Sequence, residues 1–156
     1  MRAHRVGLLG GTALAITLAL TACSGGDDTS DKPVLDVGDQ GAGTCLDVTD
    51  DLPAEVTKLP VIDCARPHSD EIYAVVDYDK GDVFPGLEEL ETYAQQVCVR
   101  EFEPYVGTSA FDSSLSFSYL TPTLGSWNDQ DDRAVLCVLR DSQAAPLTGS
   151  MKGSGR

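Results

Sequence analysis

Five cysteines, at positions 23, 45, 64, 98 and 137, constrain this chain more than any other feature. An odd number is awkward for an exported protein, because disulfides consume thiols in pairs. The sequence around the first cysteine resolves the count. Arg2 and Arg5 precede an apolar run from Val6 to Leu20, diluted only by glycine and threonine, and Leu20-Thr21-Ala22-Cys23 closes it. This is a positive n-region, an h-region of signal-peptide length and a small-residue cleavage site. A cysteine directly after the small residues predicts a lipoprotein signal. The thiolate is nucleophilic enough to take a diacylglycerol by thioether formation. Residues 1–22 are therefore expected to be removed and Cys23 to carry lipid, since the apolar run is too short and too glycine-rich for a good transmembrane span.

Cys45, Cys64, Cys98 and Cys137 then form an even set in an oxidising compartment. Four cysteines allow three pairings, and their order alone does not choose among them. Zinc is a poor alternative, because no two of them have the short spacing of a zinc knuckle. No metal and no cofactor is expected.

The full chain has 156 residues and a net charge of -14; losing Arg2 and Arg5 with the signal takes the mature chain to about -16. Such an acidic body excludes nucleic acid as a partner, since phosphate binding depends on cationic contacts. Anionic headgroups repel it too, so the membrane contact must run through the lipid on Cys23, where two or more acyl chains make a stable anchor. Ser24 to Gln40, rich in Ser, Gly and Asp, reads as a flexible acidic tether over 23–40. The expected address is the outer face of the cytoplasmic membrane.

A folded domain is expected over 41–145. Thr44–Val48 and Val61–Cys64 read as two short strands, each carrying a cysteine, which favours Cys45 with Cys64 because neighbouring strands meet bridge distances easily. Ile72–Tyr78 is β-branched and aromatic on both faces and reads as a central strand. After Phe84-Pro85-Gly86, Leu87, Leu90, Ala94, Cys98 and Phe102 recur at helical spacing, acids crowd the first turns, and Pro104 is expected to stop the helix. Leu115–Tyr119 alternates with serine, and Arg133–Leu139 is apolar on both faces, as a buried strand would be. Cys98 lies on the buried helical stripe and Cys137 in the middle of that strand, which favours a second bridge between them. The predicted class is α+β: a small, mostly antiparallel sheet of about five strands with one main helix packed on it, stapled by two disulfides. The Gly/Ser/Lys-rich segment 146–156 is expected to be a disordered tail.

Candidate chemistry is thin. His68, the only histidine after the signal, sits beside Asp70 and Glu71 at the mouth of the central strand, an arrangement that suits a general base and its orienting acid. The simpler reading is that His68 and Glu71 satisfy backbone groups at a turn entering the strand; the two converge only if the region of Pro67 turns. Asp77–Asp82 echoes a calcium loop but places Gly81 where a ligand belongs and Asp82 where glycine is required. Trp127 serves either as a ligand platform or, more commonly, to pack a loop on the core. Asp132 is expected to pair with Arg133. No nucleophile elbow, phosphate loop or metal triad of familiar spacing occurs.

Gly43-Thr44-Cys45-Leu46, then Cys64, His68 and Glu71 spaced C-x3-H-x2-E, then Cys98 on a helix, then Pro122, Trp127, Asp132-Arg133 and Cys137 together resemble the septum formation-related domain of actinobacterial lipoproteins. The resemblance runs from about Gly41 to Leu139. It departs from the family's usual pattern at Thr44, where Asp is frequent, and at Gln130-Asp131, where Gly usually precedes the Asp-Arg pair. It implies an envelope role tied to division or wall growth and brings no catalytic residue with it, and fold alone does not fix function. The expectation is therefore a non-enzymatic binding or adaptor domain whose partner is an envelope protein or wall-associated ligand. Its ligand-facing region would combine the loop of His68 and Glu71 with Trp127, Asp132 and Arg133. The rival is a small hydrolase using His68 with Glu71 or Asp70.

Overall fold

The computed structural model describes residues 34–48 and 56–156, all within the unit Asp31–Arg156. The signal sequence, Cys23 and most of the expected tether lie outside the described residues. Among them run strands β1 (Val34–Asp36), β2 (Thr44–Leu46), β3 (Lys58–Ile62), β4 (Asp70–Asp77), helix α1 (Leu87–Val106), β5 (Leu115–Leu120), helix α2 (Leu124–Asp129) and β6 (Ala134–Asp141). The strands form one sheet in the order β1-β3-β2-β4-β6-β5, antiparallel at every pairing. The α+β class, the antiparallel sheet, the single main helix and the two disulfides stand as expected, with β1 as a sixth strand on the outer edge of β3.

The alternation of β6 explains why its sequence is apolar throughout. Val135, Cys137 and Leu139 join the cluster under α1, while Leu136 and Val138 join a second cluster with Leu46, Leu59 and Ile72. The sheet is thus buried on both faces at its centre. The β4–β6 ladder slips by one residue between Ile72 and Ala74, so Tyr73 is the extra residue of a bulge. The bulge sends both Tyr73 and Ala74 into the cluster under the helix.

α1 buries Leu90, Tyr93, Ala94, Val97, Cys98, Phe102, Tyr105 and Val106. The expected stripe is one residue too long at its start: Leu87 is 59% exposed. Pro104 does not end the helix either. Its missing N–H removes one helical bond near the end, yet the chain continues to Val106 and is closed by Gly107. Gly107 takes φ +91, open to glycine and strained for other residues, and its N–H donates to the Glu103 carbonyl at 2.8 Å.

Both expected domain boundaries move outward. The end of the tether is ordered: Val34–Asp36 pairs with β3, and the side chain of buried Gln40 donates to the Asp36 carbonyl at 3.0 Å. The segment 146–156, expected to be a disordered tail, is packed. Leu147 and Met151 are buried within the main cluster. His68 and Leu147 exchange backbone hydrogen bonds at 3.0 and 2.8 Å, and the Gly153 and Gly155 N–H groups each donate at 2.8 Å to the Tyr105 and Val106 carbonyls at the end of α1. The Arg156 guanidinium meets Asp141 at 2.7 Å. The glycines and serines supply turns, while two apolar side chains four residues apart do the anchoring.

Candidate functional site

The two disulfides fix the elements around the candidate residues. Cys45 on β2 is bridged to Cys64, and Cys98 on α1 to Cys137 on β6, with Cα separations of 5.3 and 5.4 Å. Cys64 is not on a strand as expected. β3 ends at Ile62, and Cys64 lies in the turn closed by the Arg66 N–H donating to the Asp63 carbonyl at 2.9 Å. That turn, with the bend at Ser69, brings His68 back toward the start of β4. A ring nitrogen of His68, a Glu71 carboxylate oxygen and Cys45 Sγ all lie within 4.8 Å of one another.

Convergence does not make this an open site. His68 is 2% exposed and Glu71 is fully buried, so the expectation that they face a ligand is corrected. Their polar groups hold the chain together. Glu71 Oε1 accepts from the hydroxyls of Tyr105 and Ser150, each at 2.5 Å, and Oε2 from the Met151 N–H at 2.7 Å. His68 Nδ1 lies 2.8 Å from the Arg66 carbonyl. A carbonyl only accepts, so Nδ1 carries the proton, and the neutral ring then has a bare lone pair on Nε2. That Nε2 is buried without a hydrogen-bond partner. Burial and the bond to Glu71 push the Tyr105 hydroxyl up to about 12. Burial likewise raises Tyr73, whose hydroxyl donates to the Cys98 carbonyl at 2.7 Å.

Asp70, the other acid considered beside His68, is engaged differently. Its Oδ1 accepts from Arg140 Nε and Nη2 at 2.8 and 2.6 Å, while buried Oδ2 has no partner. These groups fill the first half of β4 and its approach.

Trp127 and Arg133 lie at the other end of that strand. The Tyr78 N–H, just past β4, donates to the Arg133 carbonyl at 2.8 Å. Eight residues of strand span ~25 Å, so the two halves of the expected ligand-facing region are separate. Trp127 is 2% exposed, a second correction. Its indole N–H donates to the Asp82 carbonyl at 2.9 Å, and its ring meets Tyr78 and Phe84 edge-on. The Arg133 guanidinium stacks 3.8 Å from the Trp127 ring centroid and donates to the Trp127 and Asp132 carbonyls. Its carboxylate partner is Asp131 at 2.8 Å, not Asp132 as expected. The Asp132 side chain instead accepts from the Ala134 N–H at 3.0 Å, starting β6. Asp131, Asp132 and Arg133 border a cleft of about 1050 Å³, along with Asp36, Leu120 and Leu136.

Sequence reasoning missed Tyr105, Leu147, Ser150 and Met151, the groups that receive Glu71 and His68. A glutamate directly before the apolar run Ile72–Val76 was the available signal: once buried, it requires donors.

A family model for Septum formation matches residues 36–137, which covers more than half of the chain. The chain belongs to the Septum formation family. It is also 32% identical over 116 residues to "Putative lipoprotein LppN" of Mycobacterium tuberculosis, and to the protein of the same name in Mycobacterium bovis. The alignment takes in 70% of this chain and 61% of each relative, so the chain spans about three fifths of the length of the curated relatives it matches. No solved structure matches it. The Septum formation match ends at Cys137, so it includes both disulfides but not the segment that occupies Glu71.

Proposed function

We propose that this chain is a lipid-anchored, extracytoplasmic binding or adaptor domain of the cell envelope, without catalytic activity, serving septum formation or wall growth. Support for the address comes from the signal pattern ending at Cys23, from family membership and from the word lipoprotein in the relatives' names. The observation that carries the non-enzymatic reading is the state of His68 and Glu71. The pair that most suits acid–base work is sealed from solvent, and the Glu71 carboxylate is spent on the Tyr105 and Ser150 hydroxyls and the Met151 N–H. A general base must reach its substrate's proton directly or through one water.

The partner in this reading is an envelope protein or wall-associated ligand, recognised at the corner formed by Asp131, Asp132 and Arg133. The hydrolase reading keeps one observation in its favour, the unpaired Nε2 of His68. Alanine at His68 and Glu71 separates the two. A structural pair loses melting temperature and keeps partner binding in proportion to folded protein; an enzyme loses turnover while melting as before. Crosslinking and pull-down of the anchored protein from its own envelope tests the adaptor reading. Repeated recovery of one division or wall-synthesis protein, lost on Arg133→Ala, supports it. Recovery of a bound sugar or peptide fragment alone replaces it with a small-ligand binder.

A further inference from the structure

The groups around His68 have the composition of a metal site that one covalent bond keeps closed. Cys45 Sγ, a His68 ring nitrogen and a Glu71 oxygen are mutually within 4.8 Å, and Cys64 Sγ is bonded to the first of them. Two thiolates, an imidazole and a carboxylate are ligands of a tetrahedral Zn²⁺ site. Three of these groups lie within 4.8 Å of one another, against ~3.5 Å between ligands of one zinc ion, and Cys64 Sγ stands outside that group, so closing the site needs a contraction of roughly 1 Å and a swing of the freed Cys64 thiolate toward His68. His68 is prepared for this role. Its Nδ1 is held by the Arg66 carbonyl, the outer-shell bond that metal-ligating histidines usually make, and this leaves the buried Nε2 bare and unpartnered. Glu71 is also suited to a cation. It is fully buried, has no cationic side-chain partner among the described residues, and its three hydrogen bonds leave one of about four lone-pair positions open.

We propose that reduction of the Cys45–Cys64 bridge converts this cluster into a Zn²⁺ site with Cys45, Cys64, His68 and Glu71 as ligands. The electrons come from a dithiol reductant. It gives two electrons and two protons to the sulfur–sulfur bond, leaving two protein thiols, and itself becomes a disulfide. Zinc binding then releases the two thiol protons to solvent. Access favours this bridge over the other. Cys64 is partly exposed in its turn, whereas Cys98 and Cys137 are both fully buried between α1 and the sheet. Thiol–disulfide exchange requires the attacking thiolate to reach a sulfur.

The test treats the purified full chain with a dithiol, removes it without air, maps the freed thiols by alkylation and mass spectrometry, and titrates with Co²⁺ as a spectroscopic stand-in for zinc. The expected result is newly freed thiols at Cys45 and Cys64 alone, one Co²⁺ per chain with sulfur-to-cobalt charge-transfer and tetrahedral visible bands, and displacement by Zn²⁺. Outer-shell changes at such sites cost 10- to 100-fold in affinity, so His68→Ala, removing a direct ligand, is expected to weaken binding at least about 100-fold. Glu71→Gln should weaken it while the chain stays folded by the emission of its single tryptophan. Simultaneous opening of both bridges, no cobalt spectrum in the reduced chain, or binding indifferent to His68→Ala would each overturn the proposal.

Discussion

Glu71, at the start of the central strand, accepts a hydrogen bond at 2.7 Å from the Met151 N–H, eighty positions further along the chain. The same carboxylate receives Tyr105 from the last turn of the helix. One buried side chain therefore ties strand, helix and C-terminal segment together, and the neighbouring His68 adds a backbone bridge to Leu147.

Replacing Glu71 with alanine leaves the buried Met151 N–H without an acceptor and the buried Tyr105 hydroxyl with only the long contact to Ser150 Oγ at 3.5 Å; exposed Ser150 recovers its bond from water. An orphaned buried donor costs about 1–3 kcal/mol, so the variant should lose about 2–5 kcal/mol. For a domain of this size that corresponds to a fall in melting temperature of roughly 10 °C or more. Urea and thermal unfolding measure it.

Leu147→Ala and Thr148→Ala test whether the C-terminal segment is structural. Leu147 is buried and its neighbour Thr148 exposed. The first change should cost about 2–4 kcal/mol and the second less than about 0.5 kcal/mol. Equal, negligible effects would describe a free tail.

Removing each disulfide by paired serine substitution should rank them by loop length. The bridges close separations of 19 and 39 residues. On the chain-entropy account these are worth about 3 and 4 kcal/mol, so the Cys98–Cys137 variant should be the less stable. Filling the fully buried site at Cys98 with two hydroxyls widens that gap.

Alkaline titration should reveal the buried tyrosines. Burial raises Tyr73, Tyr93 and Tyr105, the last to about 12, above the unfolded value near 10. A raised phenol pKa means the folded state holds its proton more tightly. The corresponding stability is complete below pH 10 and declines as pH rises from 10 toward 12. Phenolate absorbance should therefore show three of the five tyrosines ionising late and together with unfolding, and Tyr105→Phe should make the decline shallower.

How far the sequence disclosed this arrangement depended on the length of each signal. The α1 stripe and the doubly apolar β6 were legible because each repeats its period several times, and their positions placed Cys98 opposite Cys137. β1 was not, because three residues inside an acidic run give no period. Nor was α2, whose six residues carry only a capping box between Thr123 and Ser126. The Tyr73 bulge hid the change of phase in β4. The simpler reading of His68 and Glu71, as groups that satisfy the backbone where the chain enters β4, stands; their burial was not legible, because a glycine- and serine-rich composition conceals Leu147 and Met151, which cover them.

Amide hydrogen exchange on the wild-type chain tests the central claim, that the His68–Glu71 segment clasps the C-terminal segment and is not an open reactive pair. The N–H groups of His68, Leu147, Gly149 and Met151 all have acceptors in the fold, at 2.7 to 3.0 Å. They should exchange among the slow amides of the protein, close to the rate set by global unfolding. Exchange of Leu147, Gly149 and Met151 at the rate of an unfolded chain would mean the clasp is open in solution, with His68 and Glu71 available for chemistry.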